Sequence, residues 1–169
     1  KASTQTKIVD LDFASSSGWQ LNNATISGGQ FTLGGNASSY GYFTPGAITT
    51  KGKKYAITYE IKSNDQADGT LRVEGDVTNK IFNSHVTMDE SVGIHTVYSD
   101  AYTAGTAIYF MISLMNSTSG TVVIDNVYVT RAGAVAEYDG SGATGATWYD
   151  KSGNNLDGTV SGATSHNYP

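Results

Sequence analysis

Residues 55–61, Tyr55-Ala56-Ile57-Thr58-Tyr59-Glu60-Ile61, carry a large apolar side chain at every second position. Residues 71–77, Leu71-Arg72-Val73-Glu74-Gly75-Asp76-Val77, follow the same alternation with Arg72, Glu74 and Asp76 in between. A period of two sends successive side chains to opposite faces of an extended chain, so both segments read as strands with one buried and one solvated face. The polar run at 64–69, Asn-Asp-Gln-Ala-Asp-Gly, supplies the Asx and glycine turn chemistry that joins them. Outward from this pair, strands are expected over residues 7–13, 19–26, 30–33, 81–88, 94–99, 107–115 and 121–130, separated by signals such as Ser27-Gly28-Gly29 and Gly34-Gly35-Asn36. No segment keeps an apolar three-and-four repeat over a dozen residues, which excludes long helices. The fold expected is all-β, an antiparallel two-sheet β-sandwich of the jelly-roll kind.

Composition agrees with that class. Of 169 residues, 20 are glycine and 11 tyrosine while only 15% are charged, a mixture that suits strands and turns and works against a helical bundle. The net charge of -5 offers no attraction to a phosphate backbone, so no nucleic acid is expected as partner. No apolar stretch approaches the roughly 20 residues that cross a bilayer, so no membrane insertion is expected. The absence of cysteine removes disulfides, thiolate metal sites and thiol catalysis. Because the chain opens at Lys1 and not at methionine, an upstream segment is expected to be missing.

After Arg131 the alternation stops. Residues 133–147 are dominated by Gly, Ala, Ser and Thr and read as a linker, and a dense turn signal then resumes at Trp148-Tyr149-Asp150-Lys151-Ser152-Gly153-Asn154. The expected organisation is a domain over 1–131, followed by a linker and a truncated segment over 132–169.

Asp12-Phe13 followed by Gly18-Trp19, the central Gly52-Lys53-Lys54-Tyr55, and the closing Val123-Ile124-Asp125-Asn126-Val127-Tyr128-Val129 occur in an order that resembles the 4/9/22-type jelly-roll carbohydrate-binding modules attached to xylanases and cellulases. The tail is similar to something else. Trp148 to Asn154 with Asp157-Gly158-Thr159 resembles the first hairpin of laminin-G or concanavalin-like domains, and with the preceding residues 132–140 it looks like what bacteriophage tail-fibre and virion structural proteins carry.

Asp125 is a charged residue inside an apolar strand and needs a compensating partner, either loop amides or a metal. The resemblance implies a structural Ca²⁺ between the first and last strands, with Asp12 and Asp125 as matching carboxylates and Asp10 as an alternative to Asp12. Sugar binding requires an aromatic face against the C–H face of a pyranose, with polar side chains reaching the hydroxyls. In the strand near 108–115 the apolar register takes Ile108, Phe110, Ile112 and Leu114, leaving Tyr109, Met111, Ser113 and Met115 on the other face. Tyr109 and Tyr128 beside Arg72 and Glu74 form the expected groove, with Tyr98 and Tyr102 as further candidates. Each of these reads equally as part of an ordinary solvated face. Tyr40 and Tyr42 flank Gly41 and suit a loop rim, whereas Trp19 reads as a core anchor and Trp148 as a packing residue of the tail.

Glycoside hydrolysis needs two carboxylates about 5 Å or about 6.5–9.5 Å apart, and Glu60 with Glu74 on successive strands is the one pair to weigh. No nucleophile elbow or phosphate loop occurs, and His85, His95 and His166 lack ligand spacing, so a non-enzymatic protein is expected. The function expected is a carbohydrate-binding module of a phage or virus fibre, at the virion surface or outside the cell. Its partners would be host or environmental glycans, other virion proteins, or a second copy of the chain. The alternatives are a purely structural virion domain and a binding module of a secreted polysaccharide hydrolase.

Overall fold

The computed structural model describes residues 7–35, 38–44, 53–74, 85–99, 110–133, 136, 138, 143–144, 146–151 and 156–161. The chain divides into a larger unit, Thr6–Ala132, and a smaller one that takes in Gly133–Pro169. In the larger unit the strands run in order as β1 (Val9–Leu11), β2 (Gln20–Asn22), β3 (Ala24–Ser27), β4 (Gln30–Gly34), β5 (Ser38–Phe43), β6 (Lys54–Asn64), β7 (Thr70–Glu74), β8 (Val86–Thr87), β9 (Gly93–Tyr98), β10 (Phe110–Met115) and β11 (Thr121–Ala132). They form two antiparallel sheets. The first has the order β3-β4-β11-β6-β9 with β1 also paired to β11, and the second the order β2-β5-β10-β7-β8. The expected all-β jelly-roll sandwich is therefore the one observed.

The alternation at 55–61 places Tyr55, Ile57, Tyr59 and Ile61 in the core and turns Ala56, Thr58 and Glu60 outward. Leu71, Val73, Phe110, Ile112 and Leu114 meet them from the second sheet, fully buried. Each such side chain contributes about 1.5–3 kcal/mol through removal from water. The closing strand β11 buries Val122, Ile124, Val127 and Val129, a series that skips from 124 to 127. A β-bulge resolves the skip: pairing with β6 shifts between Asp125 and Tyr128, and Asn126 takes φ 51°. The extra residue restores the inward register for the second half of the strand.

Two expectations need correction. The single strand expected over 19–26 is two, because Asn23 at φ 48° turns the chain out of the second sheet (β2) into the first (β3). That corner is tied down by its own carbonyl, which accepts the Ser39 hydroxyl at 2.6 Å and the Gly34 amide at 2.9 Å. The second concerns β5, which was expected only as a loop rim around Gly41 and is an interior strand between β2 and β10. Its inward residues are Ser39, Gly41 and, at its end, Phe43, which packs on Trp19 and Phe110, while Tyr40 and Tyr42 face outward, so apolar alternation gave little signal. The missing bulk comes from the other sheet. A Cβ on Gly41 would lie 2.8 Å from the Phe31 ring and 2.9 Å from Leu21 Cδ2.

The turn between β8 and β9 clasps the two sheets. The Tyr59 hydroxyl on β6 donates to the Asp89 carbonyl at 3.0 Å, Asn64 Nδ2 to the Glu90 carbonyl at 3.0 Å, and the Leu71 amide on β7 to Glu90 Oε1 at 2.7 Å. Burial pushes the Tyr59 hydroxyl up to about 12, so it remains a donor at physiological pH.

The smaller unit contains a three-stranded antiparallel sheet of β12 (Ala143–Thr144), β13 (Thr147–Trp148) and β14 (Gly158–Thr159). Strand pairing thus begins inside the stretch expected to be a linker. Asp150 and Asp157 pin the ends of the β13–β14 connection, Asp157 Oδ1 accepting the Asp150 amide at 2.9 Å and Asp150 Oδ2 the Leu156 amide at 3.1 Å. The Tyr138 and Trp148 rings lie 5.7 Å apart in a tilted pair.

Candidate functional site

The solvent face of the second sheet is organised in cross-strand rows. One runs Gln20, Tyr42, Met111, Glu74, and the next Asn22, Tyr40, Ser113, Arg72, Thr87. A third joins Ser38, Met115 and Thr70. Tyr40 and Tyr42 stand two residues apart on β5 with ring centroids 6.3 Å apart and planes within 26°. Beside them Ser38, Glu74, Met111, Ser113 and Met115 complete a concavity of about 450 Å³, within the size range of small-ligand sites. The Ser113 hydroxyl donates to Glu74 Oε1, fixing the carboxylate at the edge of the groove. Ser38 accepts Asn22 Nδ2 on its carbonyl at 2.9 Å and turns its hydroxyl toward Met115 Sδ at 3.9 Å. The result is two aligned aromatic rings over a soft, partly polar floor with one anchored carboxylate, an arrangement that can stack a flat apolar ring face and bind its edge hydroxyls.

Sequence reasoning assigned Met111, Ser113, Met115, Arg72 and Glu74 to outward faces, and the structure brings all five onto this one. Two of the aromatic residues expected as sugar-binding candidates lie on the other sheet. Tyr128 lies on β11 of the other sheet, opposite Asp10 and Thr58, with the Lys7 ammonium 4.5 Å from its ring centroid. Tyr98 lies on the same outer sheet face, opposite Ala56 on the edge strand β9 and 66% exposed. Neither can share a groove with Arg72 and Glu74, because the core separates the two outer faces. Tyr102 and Tyr109 fall outside the described residues. Tyr40 and Tyr42 are the aromatic residues that line this concavity, and the signal that could have found them is the spacing Tyr-Gly-Tyr, which puts two rings on one face of a strand. Trp19 packs among Phe13, Phe31 and Phe43, at 4.8 Å from the last, as a core anchor should.

The same topology separates Glu60 from Glu74. β6 and β7 are consecutive in the chain but belong to different sheets, and each glutamate faces outward from its own. They cannot flank one glycosidic bond. On its own face Glu60 accepts Asn126 Nδ2 at 2.8 Å and Lys62 Nζ at 3.1 Å, bonds that hold its carboxyl below the usual range. A second constellation, Ser91, His95 and Asp89, has the composition of a nucleophilic triad, with His95 Nδ1 3.7 Å from Asp89 Oδ2 and Nε2 3.5 Å from Ser91 Oγ. The Ser91 hydroxyl donates to Asp89 Oδ1 at 2.7 Å, and His95 Nε2 sits 2.7 Å from the Ser91 carbonyl, so that nitrogen carries its proton toward a carbonyl and is no base for the serine.

The carboxylates expected to hold calcium flank the point along β11 where β1 gives way to β4, since Leu11 pairs with Val127 and Phe31 with Ile124. Asp12 Oδ1 accepts the Ala14 amide at 3.0 Å and Asp125 Oδ1 the Asn126 amide at 2.7 Å. Asp10 is engaged by Lys7 at 2.8 Å on the outer face, which favours Asp12 of the two. Hard oxygen donors suit calcium, but among the described residues no three His, Cys, Asp or Glu side chains gather to hold a metal. Backbone carbonyls would have to complete the shell. No helix among the described residues is long and apolar enough to cross a membrane.

No protein-family model matches the chain, and no curated protein matches it in sequence. Solved structures do. A mutant of a family 29 carbohydrate-binding module aligns with TM-score 0.51 at 15% identity, over 77% of this chain and 92% of that one. The second N-terminal cellulose-binding domain of Cellulomonas fimi β-1,4-glucanase C aligns with TM-score 0.51 at 9% identity, over 79% and 99%. The CBM22-1 and GH10 modules of Clostridium thermocellum xylanase 10B, solved with xylohexaose, align with TM-score 0.51 at 19% identity, over 79% of this chain and 30% of that one. At these identities the likeness is one of fold, and the fold is the β-sandwich jelly roll of carbohydrate-binding modules.

Proposed function

We propose that the larger unit is a non-catalytic module that binds a glycan in the groove of Tyr40, Tyr42, Met111, Ser113 and Glu74. The observation that carries this reading is the pair of tyrosine rings along β5, spaced 6.3 Å apart with planes 26° from parallel, over a concavity with an anchored carboxylate at its edge. Binding by one such face is weak, and repetition of the module on a larger assembly would raise it through avidity. The setting we favour is a virion or phage fibre or another extracellular assembly, on the resemblance of residues 132–160. A module of a secreted polysaccharide hydrolase is the second reading, favoured by the fold shared with modules of a xylanase and a glucanase.

A glycan array followed by titration of the best hit tests the site. Tyr42→Ala and Tyr40→Ala are each expected to weaken binding about tenfold, the scale of one lost aromatic contact, while Tyr128→Ala on the opposite sheet leaves it unchanged. Loss of binding in Tyr128→Ala and not in the other two would move the site to the other face, and a blank array from folded protein would favour a structural role.

The calcium reading belongs to the same proposal. With an ion shared by Asp12 and Asp125, EDTA is expected to lower the thermal midpoint by several degrees and added Ca²⁺ to restore it. Asp125→Asn should abolish the difference; identical melts with and without chelator would remove calcium from the account.

A further inference from the structure

Arg72 stands in the row Asn22, Tyr40, Ser113, Arg72, Thr87 on the groove face. Its side chain makes no hydrogen bond or ion pair among the described residues, and its Nε is buried without an acceptor. The obvious counter-ion is Glu74, two residues along on the same face of β7, but that carboxylate is turned to the Ser113 hydroxyl. A guanidinium cannot shed its proton to escape desolvation. Among the described residues the groove face therefore holds a permanent cation on β7, next to Ser113 and two strands from Tyr40, that makes no ion pair.

We infer that the groove selects polysaccharides carrying a carboxylate, such as uronate substituents, and that Arg72 is the residue that recognises it. The inference rests on the glycan-binding reading above. A sugar hydroxyl can accept one hydrogen bond from the guanidinium but leaves its charge uncompensated. A carboxylate accepts two parallel bonds from the fork and neutralises it, which is the pairing in which arginine differs most from other donors. The net charge of -5 opposes the approach of a polyanion, and Glu74 would repel a second carboxylate in the groove. The ligand that satisfies both conditions has a largely neutral backbone, whose unsubstituted residues stack on Tyr40 and Tyr42, with an occasional acidic branch directed to Arg72.

The test is affinity electrophoresis and titration of the full chain against glucuronoxylan, pectin and xanthan. Each is used before and after reduction of its carboxylates to alcohols, with unsubstituted xylan, glucan and mannan as neutral references. At least one acidic polysaccharide is expected to bind about tenfold more tightly than its reduced form. Arg72→Gln, and Arg72→Lys as a variant that keeps the charge without the fork, should bring that ratio toward one while preserving the circular dichroism spectrum. Neutral or reduced sugars bound as tightly as acidic ones would overturn the inference and leave the groove reading in place. So would a ratio untouched in both folded variants. No binding to any of them would overturn both together.

Discussion

Phe31→Ala is expected to lower the free energy of unfolding by about 3–5 kcal/mol, a large share of the roughly 5–15 kcal/mol that holds a domain of this size. The Phe31 ring is fully buried, stacked on Phe13 at 5.5 Å and tilted against Trp19 at 5.6 Å, and β4 carries it opposite Ile124 of the closing strand. It also fills the space that Gly41 leaves on the second sheet, so the cavity created would open on both layers at once. Neighbouring backbone is pinned by two ladders and cannot collapse into it, which sets the cost toward the upper end. Urea denaturation monitored by tryptophan fluorescence measures it, since Trp19 lies against the same ring. A loss below about 1 kcal/mol would mean that the site repacks and that the two sheets are not locked at this point. The effect should propagate to ligand: Tyr40 and Tyr42 flank Gly41, and their alignment depends on what lies beneath it.

Gly120→Ala is expected to cost about 2–5 kcal/mol, of which about 1–2 belongs to the left-handed backbone and about 1–3 to overlap. Gly120 has φ +82°, and an added Cβ would lie 2.4 Å from the Asp65 carbonyl oxygen and 2.6 Å from the Gln66 Cα. Both obstacles are backbone, so no side-chain rotation relieves them. The turn they belong to is doubly tied. Asp65 Oδ1 takes the Thr121 amide and hydroxyl, bonds that hold this carboxyl below its usual range, and Asp68 takes the Thr118 amide at 2.7 Å. Gly28 is the control: its φ is +60° but a Cβ there meets nothing within 4 Å, so Gly28→Ala should cost only the conformational part, about 1–2 kcal/mol. Equal losses in the two variants, read from denaturation midpoints, would show that the close approach at residue 120 relaxes.

The parts of this fold that were legible in the sequence are those whose core residues are themselves apolar. β6 and β7 declare themselves through Tyr55, Ile57, Tyr59 and Ile61 and through Leu71 and Val73, and the polar residues between them were correctly turned outward. β5 was hard to see because two of its inward positions are Ser39 and Gly41, and the bulk that should mark them is lent by Phe31 from 10 residues earlier in the chain and the opposite layer, which leaves Phe43 alone to signal its core side. The candidate site shares that blind spot. Arg72, Glu74, Met111 and Ser113 could be placed on faces from alternation alone, but which strands lie side by side is decided by chain crossovers such as the one at Asn23. Alternation says nothing about crossovers, and so Tyr128 was put beside Arg72 and Glu74 although it lies on the other sheet, and Tyr40 and Tyr42 were left at a loop.

The place of β11 has a consequence for how the molecule is made. The last strand of the larger unit is an interior strand of its sheet, holding β1 and β4 along one edge and β6 along the other. A chain synthesised from its N-terminus therefore exposes Phe31, Leu33, Ile57 and Ile61 before the strand that covers and joins them exists. Hairpins such as β3–β4 can form early, but the sheet cannot close until Val129 is free to reach back to Val9, a loop whose ends are far apart in sequence and slow to meet. Premature termination anywhere before β11 leaves sticky, incomplete strands in place of a smaller domain.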